Sequence, residues 1–189
     1  FNQISGARYT VREEIAFGME NLGTPREEMA QRVDEIAALL RINGLLDRSP
    51  YALSGGQMQL VAIASMLVLR TPVLVMDEPT SQLDPAGTRL VFDILNQLQE
   101  AGVTVVIFEH KLELLHQHAD RMLVIASGGI AADGPATDVL ADPRTAEWGI
   151  GSTRFTQVGR LARERGLLTP EVPLPVSFEQ AVTVFGGAR

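Results

Sequence analysis

At 189 residues, with 46% apolar and 21% charged residues, the chain is long enough to bury a real core as one domain, with or without a small appendage. Its 16 basic and 23 acidic residues leave a formal charge of −7, which offers no general attraction for nucleic acid or an anionic membrane surface. Without cysteine, disulfides and thiolate metal sites are excluded, and the longest mainly apolar stretch, Leu60 to Leu69, is about half of the roughly 20 residues that cross a bilayer.

The chain opens on Phe1, with neither an initiator methionine nor the charged start and apolar stretch of a signal, and so reads as a piece of a longer or cleaved protein. Thr10-Val-Arg-Glu13 and Thr24-Pro25-Arg-Glu27 predict two capping boxes, the second with proline at the first helical position. The second helix carries Met29, Val33, Ile36, Ala37 and Leu40 on one face and is expected to stop near Gly44 with a glycine cap. From Ser54 a helix to Leu69, an apolar run Val73 to Met76, a helix from Pro85 to about Glu100 and a β-branched run Val103 to Phe108 alternate as in a parallel sheet covered by helices. A strand from Arg121 to Ala126, a tight turn at Gly128-Gly129 and a return strand Ile130 to Ala132 follow. Beyond Pro143 come a helix from Thr153 to Arg165, a proline-rich connector through Pro175 and a last helix opened by Ser177-Phe-Glu-Gln180.

Three places bear chemistry. In Leu53-Ser54-Gly55-Gly56-Gln57, a serine and two glycines open a helix, so its backbone N–H groups face outward unobstructed and suit an anion; Ser54 also serves as a plain N-cap. Leu74-Val75-Met76-Asp77-Glu78-Pro79 is a short strand that ends in two carboxylates, where sites gather in open parallel sheets; the pair are turn residues, or a Mg²⁺ ligand beside a base that polarises water. His110 lies just past the β-branched run, as a simple hydrogen-bonded residue or a contact to phosphate. His116 and His118, two apart on a helix, do not share a face and are given no role. A phosphate-cradling loop needs Gly-x-x-x-x-Gly-Lys-Ser/Thr, yet the single lysine is Lys111, directly after His110, so half of an ATPase site is missing from these residues.

The complete string Leu53-Ser54-Gly55-Gly56-Gln57 resembles the signature motif of the ABC ATPase family, which closes over the γ-phosphate of ATP held by the P-loop of the opposite subunit. Leu74 to Pro79 looks like that family's Walker B motif with its catalytic glutamate, which implies Asp77 on the Mg²⁺ side and Glu78 as general base. Ser81-Gln82-Leu83-Asp84 is similar to the D-loop along the dimer seam, although Asp84 before Pro85 is also a good N-cap pair, and His110 resembles the switch histidine. Glu13-Glu14-Ile15-Ala16-Phe17-Gly18, Glu20-Asn21-Leu22-Gly23, Ile63-Ala64-Ser65 and Ser177-Phe178-Glu179-Gln180-Ala181-Val182 resemble the ATPases of energy-coupling factor importers, which take up vitamins or cobalt and nickel ions. Leu60, where arginine is common, and Gln82, where a small residue is usual, depart from the pattern.

The resemblance implies an α/β fold: a partial P-loop NTPase (RecA-like) core with a parallel sheet, an ABC helical subdomain and a small C-terminal helical extension. Residues 1–52 would be the helical subdomain, 53–142 the core half with signature, Walker B, D-loop and His110, and 143–189 an extension that helps two subunits dimerise. Its ligands would be ATP and Mg²⁺. Its partners would be a second ATPase subunit, identical or related, and integral-membrane transport components that dock on the helical subdomain at the cytoplasmic face of the cell membrane, with no nucleic acid. The P-loop, the base-stacking aromatic and the Q-loop glutamine are expected upstream of Phe1; Gln3 is not that glutamine, and the 189 residues alone are expected to hydrolyse no ATP. Two other readings are a soluble ABC ATPase of translation or DNA repair, which predicts basic grooves or a coiled-coil insertion not visible between Thr10 and Pro50, and a non-catalytic module that only docks or dimerises.

Overall fold

The computed structural model describes residues 4–186, so Phe1 and Gln3 lie outside the described residues. Two compact units follow one another along the chain, Phe1–Phe108 and Glu109–Arg189. In the first, helix α1 (Val11–Asn21) starts as its sequence predicts: the Thr10 hydroxyl accepts the Glu13 N–H at 3.3 Å, and the Glu13 carboxylate accepts the Thr10 N–H at 3.1 Å. The second expected box does not form. The Thr24 N–H donates instead to the Met19 carbonyl at 3.0 Å, and the Gly23 N–H to Glu20 at 3.0 Å, closing the end of α1 with Gly23 at φ 72°. Thr24 has no amide left for Glu27, Pro25 takes the cap position without a side-chain bond, and α2 runs Arg26–Leu39. Gly44 does not end α2 either. Arg41, at φ 58°, takes the left-handed position, with the Ile42 N–H on the Ala37 carbonyl at 2.8 Å, while Gly44 sits in a short 3-10 turn Asn43–Leu45.

Helix α3 (Gly55–Leu67) is apolar almost all round and packs with both α1 and α2. Val11, Ile15 and Met19 of α1, Val33 and Ala37 of α2, and Val61 and Ala64 of α3 are fully buried; each larger side chain contributes about 1.5–3 kcal/mol. Arg70, at φ 50°, turns the chain into β1 (Val73–Asp77). This strand pairs in parallel with β2 (Thr104–Phe108), Val73 opposite Thr104 and Asp77 opposite Phe108. Parallel neighbours need a long crossover, supplied by α4 (Pro85–Glu100), which buries Val91, Phe92, Ile94 and Leu95 and packs on β2. The apolar run of β1 predicts a buried strand, but one face is open: Leu74 and Met76 are buried, whereas Val73 and Val75 are 50% and 56% exposed and Asp77 shares their side.

In the second unit, α5 (Leu112–His118) precedes a hairpin of β3 (Arg121–Ala126) and antiparallel β4 (Gly129–Pro135). The tight turn is made by Ser127 and Gly128, both at positive φ as two-residue hairpin loops require, and not by Gly128-Gly129. The return strand is longer than its Ile130–Ala132 core because Pro135 still pairs with Arg121, whose guanidinium makes two bonds, 2.6 and 2.7 Å, to Asp133. Leu112, Met122, Val124, Val139, Leu140 and Val176 form this unit's core with α6 (Ala136–Ala141), a short helix that the sequence reading leaves unassigned. Helices α7 (Arg154–Glu164) and α8 (Phe178–Gly186) pack on each other, with Phe155 and Phe178 edge to face at 6.3 Å. Among the described residues no helix is long and apolar enough to cross a membrane.

Candidate functional site

Ser54 caps α3 from an extended backbone conformation, its hydroxyl accepting the Gln57 N–H at 3.3 Å while the Gln57 side-chain oxygen accepts the Ser54 N–H at 3.0 Å. These two bonds satisfy the first and last amides of the turn and leave those of Gly55 and Gly56 as the helix's outward donors, at its positive end. Ser54 and Gly55 are exposed, and Gly56, Leu53 and Gln57 are partly so, so the turn is open to an approaching molecule.

Against this turn lies the Ser81–Asp84 loop. A methyl group added at Gly55 would stand 3.1 Å from the Gln82 side-chain oxygen, and one at Gly56 would stand 3.0 Å from the Gln82 backbone carbonyl. At position 56, where the neighbour is backbone, glycine is what lets the loop and the helix start approach this closely. The loop is itself a pair of turns, with the Ser81 N–H on the Glu78 carbonyl and the Leu83 N–H on the Thr80 carbonyl, both at 3.2 Å. Asp84 does cap α4, its carboxylate accepting the Gly87 N–H at 2.7 Å, and it remains exposed, as does Ser81.

Strand β1 delivers the two acids. Asp77 is exposed on the open face, and Glu78, partly buried, follows at φ 44°, a left-handed backbone rare for a residue with a side chain. Such conformations persist where their surroundings hold them, and they cluster at functional sites. The Glu78 N–H donates to the Phe108 carbonyl at 2.9 Å. Below the acids, Gln59, Ile63, Met66, Val75, Met76, Asp77 and Pro79 line an open, mainly apolar groove of about 220 Å³. With so few polar groups, the groove is not by itself a seat for a polyphosphate.

Ser54 to Gln57, Asp77, Glu78, Ser81 and Asp84 are thus gathered within the first unit. His110 stands in the second, exposed, its backbone N–H donating to the Glu109 carboxylate at 2.8 Å. One participant escaped the sequence reading. Gln59, 5% exposed, sits on the buried side of α3 and donates from its side-chain nitrogen to the Pro79 carbonyl at 2.9 Å and to the Glu78 carbonyl at 3.4 Å. The available signal was an amide one turn before Ile63 on a largely apolar helix, where a buried polar group must find a partner.

The ABC transporter family model matches residues 3–81. The chain is 37% identical over 171 residues to the energy-coupling factor transporter ATP-binding protein EcfA2 of Latilactobacillus sakei, covering 87% of this chain and 58% of that protein. It is 38% identical over 172 residues to EcfA1 of Bacillus subtilis, covering 90% and 60%, and 46% identical over 125 residues to EcfA1 of Halalkalibacterium halodurans, covering 66% and 45%. It therefore spans at most 60% of the length of these three relatives. Among solved structures it resembles cbiO1 of Clostridium perfringens, described as part of the ABC transporter complex cbiONQ, with TM-score 0.62, 30% identity, and 82% and 61% of the two chains covered. It also resembles MJ1267, an ATP-binding cassette of an ABC transporter, with TM-score 0.66, 32% identity, and 76% and 64% covered. Shared sequence and shared fold agree: the chain belongs to the family of ABC transporter ATP-binding domains.

Proposed function

We propose that this chain is part of the ATP-hydrolysing subunit of an energy-coupling factor type importer, coupling ATP hydrolysis to uptake of a vitamin or a transition-metal ion. The observation that carries this reading is the open Ser54–Gly56 turn, whose glycine amides are left as donors at the exposed start of α3. Donors so placed suit a γ-phosphate presented by a second subunit, so that each nucleotide lies between the phosphate loop of one subunit and the residues Leu53 to Gln57 of the other. The phosphate loop lies outside these 189 residues, which alone are expected to hydrolyse no ATP.

In this reading Glu78, at the end of β1, accepts a proton from the attacking water, and His110 steadies charge on the γ-phosphate. Ser81 and Asp84, in the loop packed on the glycine turn, line the seam between subunits. Among the described residues there is no cluster of three His, Cys, Asp or Glu side chains, and Asp77 is a single exposed carboxylate. That donor set fits Mg²⁺, which binds proteins through one or two carboxylates and takes its other ligands from phosphates and water. When bound, the ion would neutralise phosphate charge, while Asp77 orients it from the chain's side. Residues 1–52 would receive integral-membrane components, holding the subunit peripherally at the cytoplasmic face of the membrane, and residues 143–189 would support pairing of two subunits.

The test is Glu78→Gln in the full-length protein. Loss of the base with retained binding should abolish turnover and accumulate an ATP-loaded dimer, read by size-exclusion chromatography with and without MgATP. Turnover at the unsubstituted rate would remove Glu78 from its role.

A further inference from the structure

Glu78 holds a left-handed backbone rare for a residue with a side chain, and several neighbours bond to its peptide groups. The N–H is fixed by Phe108, and one lone pair of the carbonyl is taken by the Ser81 N–H. The side-chain nitrogen of Gln59, buried in α3, donates as well, to the Pro79 carbonyl at 2.9 Å and to the Glu78 carbonyl at 3.4 Å. These bonds tie the carbonyls of two successive peptides, those after Glu78 and after Pro79, to the helix, the Pro79 bond being the shorter. That helix begins at Ser54, so the glycine turn and the acid are joined by one rigid turn of helix and one side chain.

We propose that Gln59 is a positioning residue for the hydrolytic reaction: it sets the backbone that presents Glu78, and it links the glycine turn at the start of α3 to that carboxylate. The inference rests on the reading of Glu78 as general base. It adds a consequence of the two-subunit arrangement: the Ser54–Gly56 turn of one chain faces the nucleotide of one site, whereas its own Glu78 serves the other. Gln59 then carries the state of one site to the base of the second within a single chain.

The test compares Gln59→Met, which keeps the volume and removes both donors, with Gln59→Glu and Glu78→Gln, all in the full-length ATPase. A base shifted by a fraction of an ångström loses chemistry and not binding, so Gln59→Met is expected to lower kcat by about 10-fold to 100-fold with KM for ATP within about 2-fold. Gln59→Glu places a carboxylate against two carbonyls and donates only when protonated, so its rate relative to the unsubstituted enzyme should rise as pH falls from about 8 to about 6. Glu78→Gln inactive with Gln59→Met at full kcat overturns the role of Gln59 alone. Glu78→Gln active overturns the base assignment and this inference with it. A fall in kcat matched by a rise in KM, a flat pH ratio for Gln59→Glu, or loss of folded protein in both Gln59 variants would make Gln59 a packing residue and overturn the proposal.

Discussion

Alanine at Gly55 and at Gly56 should have opposite effects on stability, although the two positions are adjacent on the same helix start. Each substitution gains helix propensity, roughly 0.5–1 kcal/mol. At Gly55 the new methyl meets the Gln82 side-chain oxygen at 3.1 Å, the end of a flexible side chain that can swing aside, so Gly55→Ala should be neutral or stabilising by up to about 1 kcal/mol. At Gly56 it meets the Gln82 backbone carbonyl at 3.0 Å, in a loop already tied by the Ser81 and Leu83 amides. Overpacking against backbone costs about 1–3 kcal/mol, which exceeds the propensity gain and leaves Gly56→Ala destabilised by about 1–2 kcal/mol. The two variants should differ by about 2 kcal/mol, or about 4–8 °C in Tm for a chain of this size, in denaturation followed by circular dichroism. Gln82→Ala as a background should leave the cost at Gly56 in place, because the carbonyl remains. Equal stability of the two alanine variants would refute the packing of the Ser81–Asp84 loop on the glycine turn.

In the second unit, Gly159 lets the Leu174–Pro175 segment lie directly on α7: an added methyl would stand 2.8 Å from the Pro175 ring and 3.0 Å from Leu174. Gly159→Ala should therefore cost about 1–3 kcal/mol in urea denaturation, and a neutral result would show that this segment moves freely on the helix. Asp142 caps the turn Pro143–Ala146, its carboxylate accepting the Arg144 N–H at 2.8 Å and the Arg144 guanidinium at 2.7 and 3.0 Å. These bonds hold its pKa down from 3.8 to about 2. A depressed carboxylate stabilises the fold above its unfolded pKa and loses that effect as pH falls, so the contribution should be complete above about pH 4 and vanish as pH passes through about 2. Carboxyl carbon NMR should show the low midpoint, and Arg144→Ala should return it towards 3.8; an unshifted midpoint in the unsubstituted chain would contradict the pair.

What the sequence determines is the chemistry whose partners are near neighbours in the chain. The box at Thr10 and the cap at Ser54 act within three residues, the apolar run of β1 ends where its acids begin, and Asp84-Pro85 starts a helix, so each is legible from residue order alone. The same local logic misleads at Thr24, because its amide was already committed to the end of α1, and at Gly44, because burial of Ile42 and Ala37 beside Arg41 closed α2 three residues sooner. Tertiary structure alone decided the rest of the site. The left-handed backbone of Glu78 depends on Phe108, and on Gln59 some 19 residues away; the need for glycine at position 56 depends on a carbonyl from the Ser81–Asp84 loop. Those contacts join residues distant in sequence at separations of about 3 Å, where hydrogen bonding and steric overlap change steeply, and no pattern within a single segment encodes them.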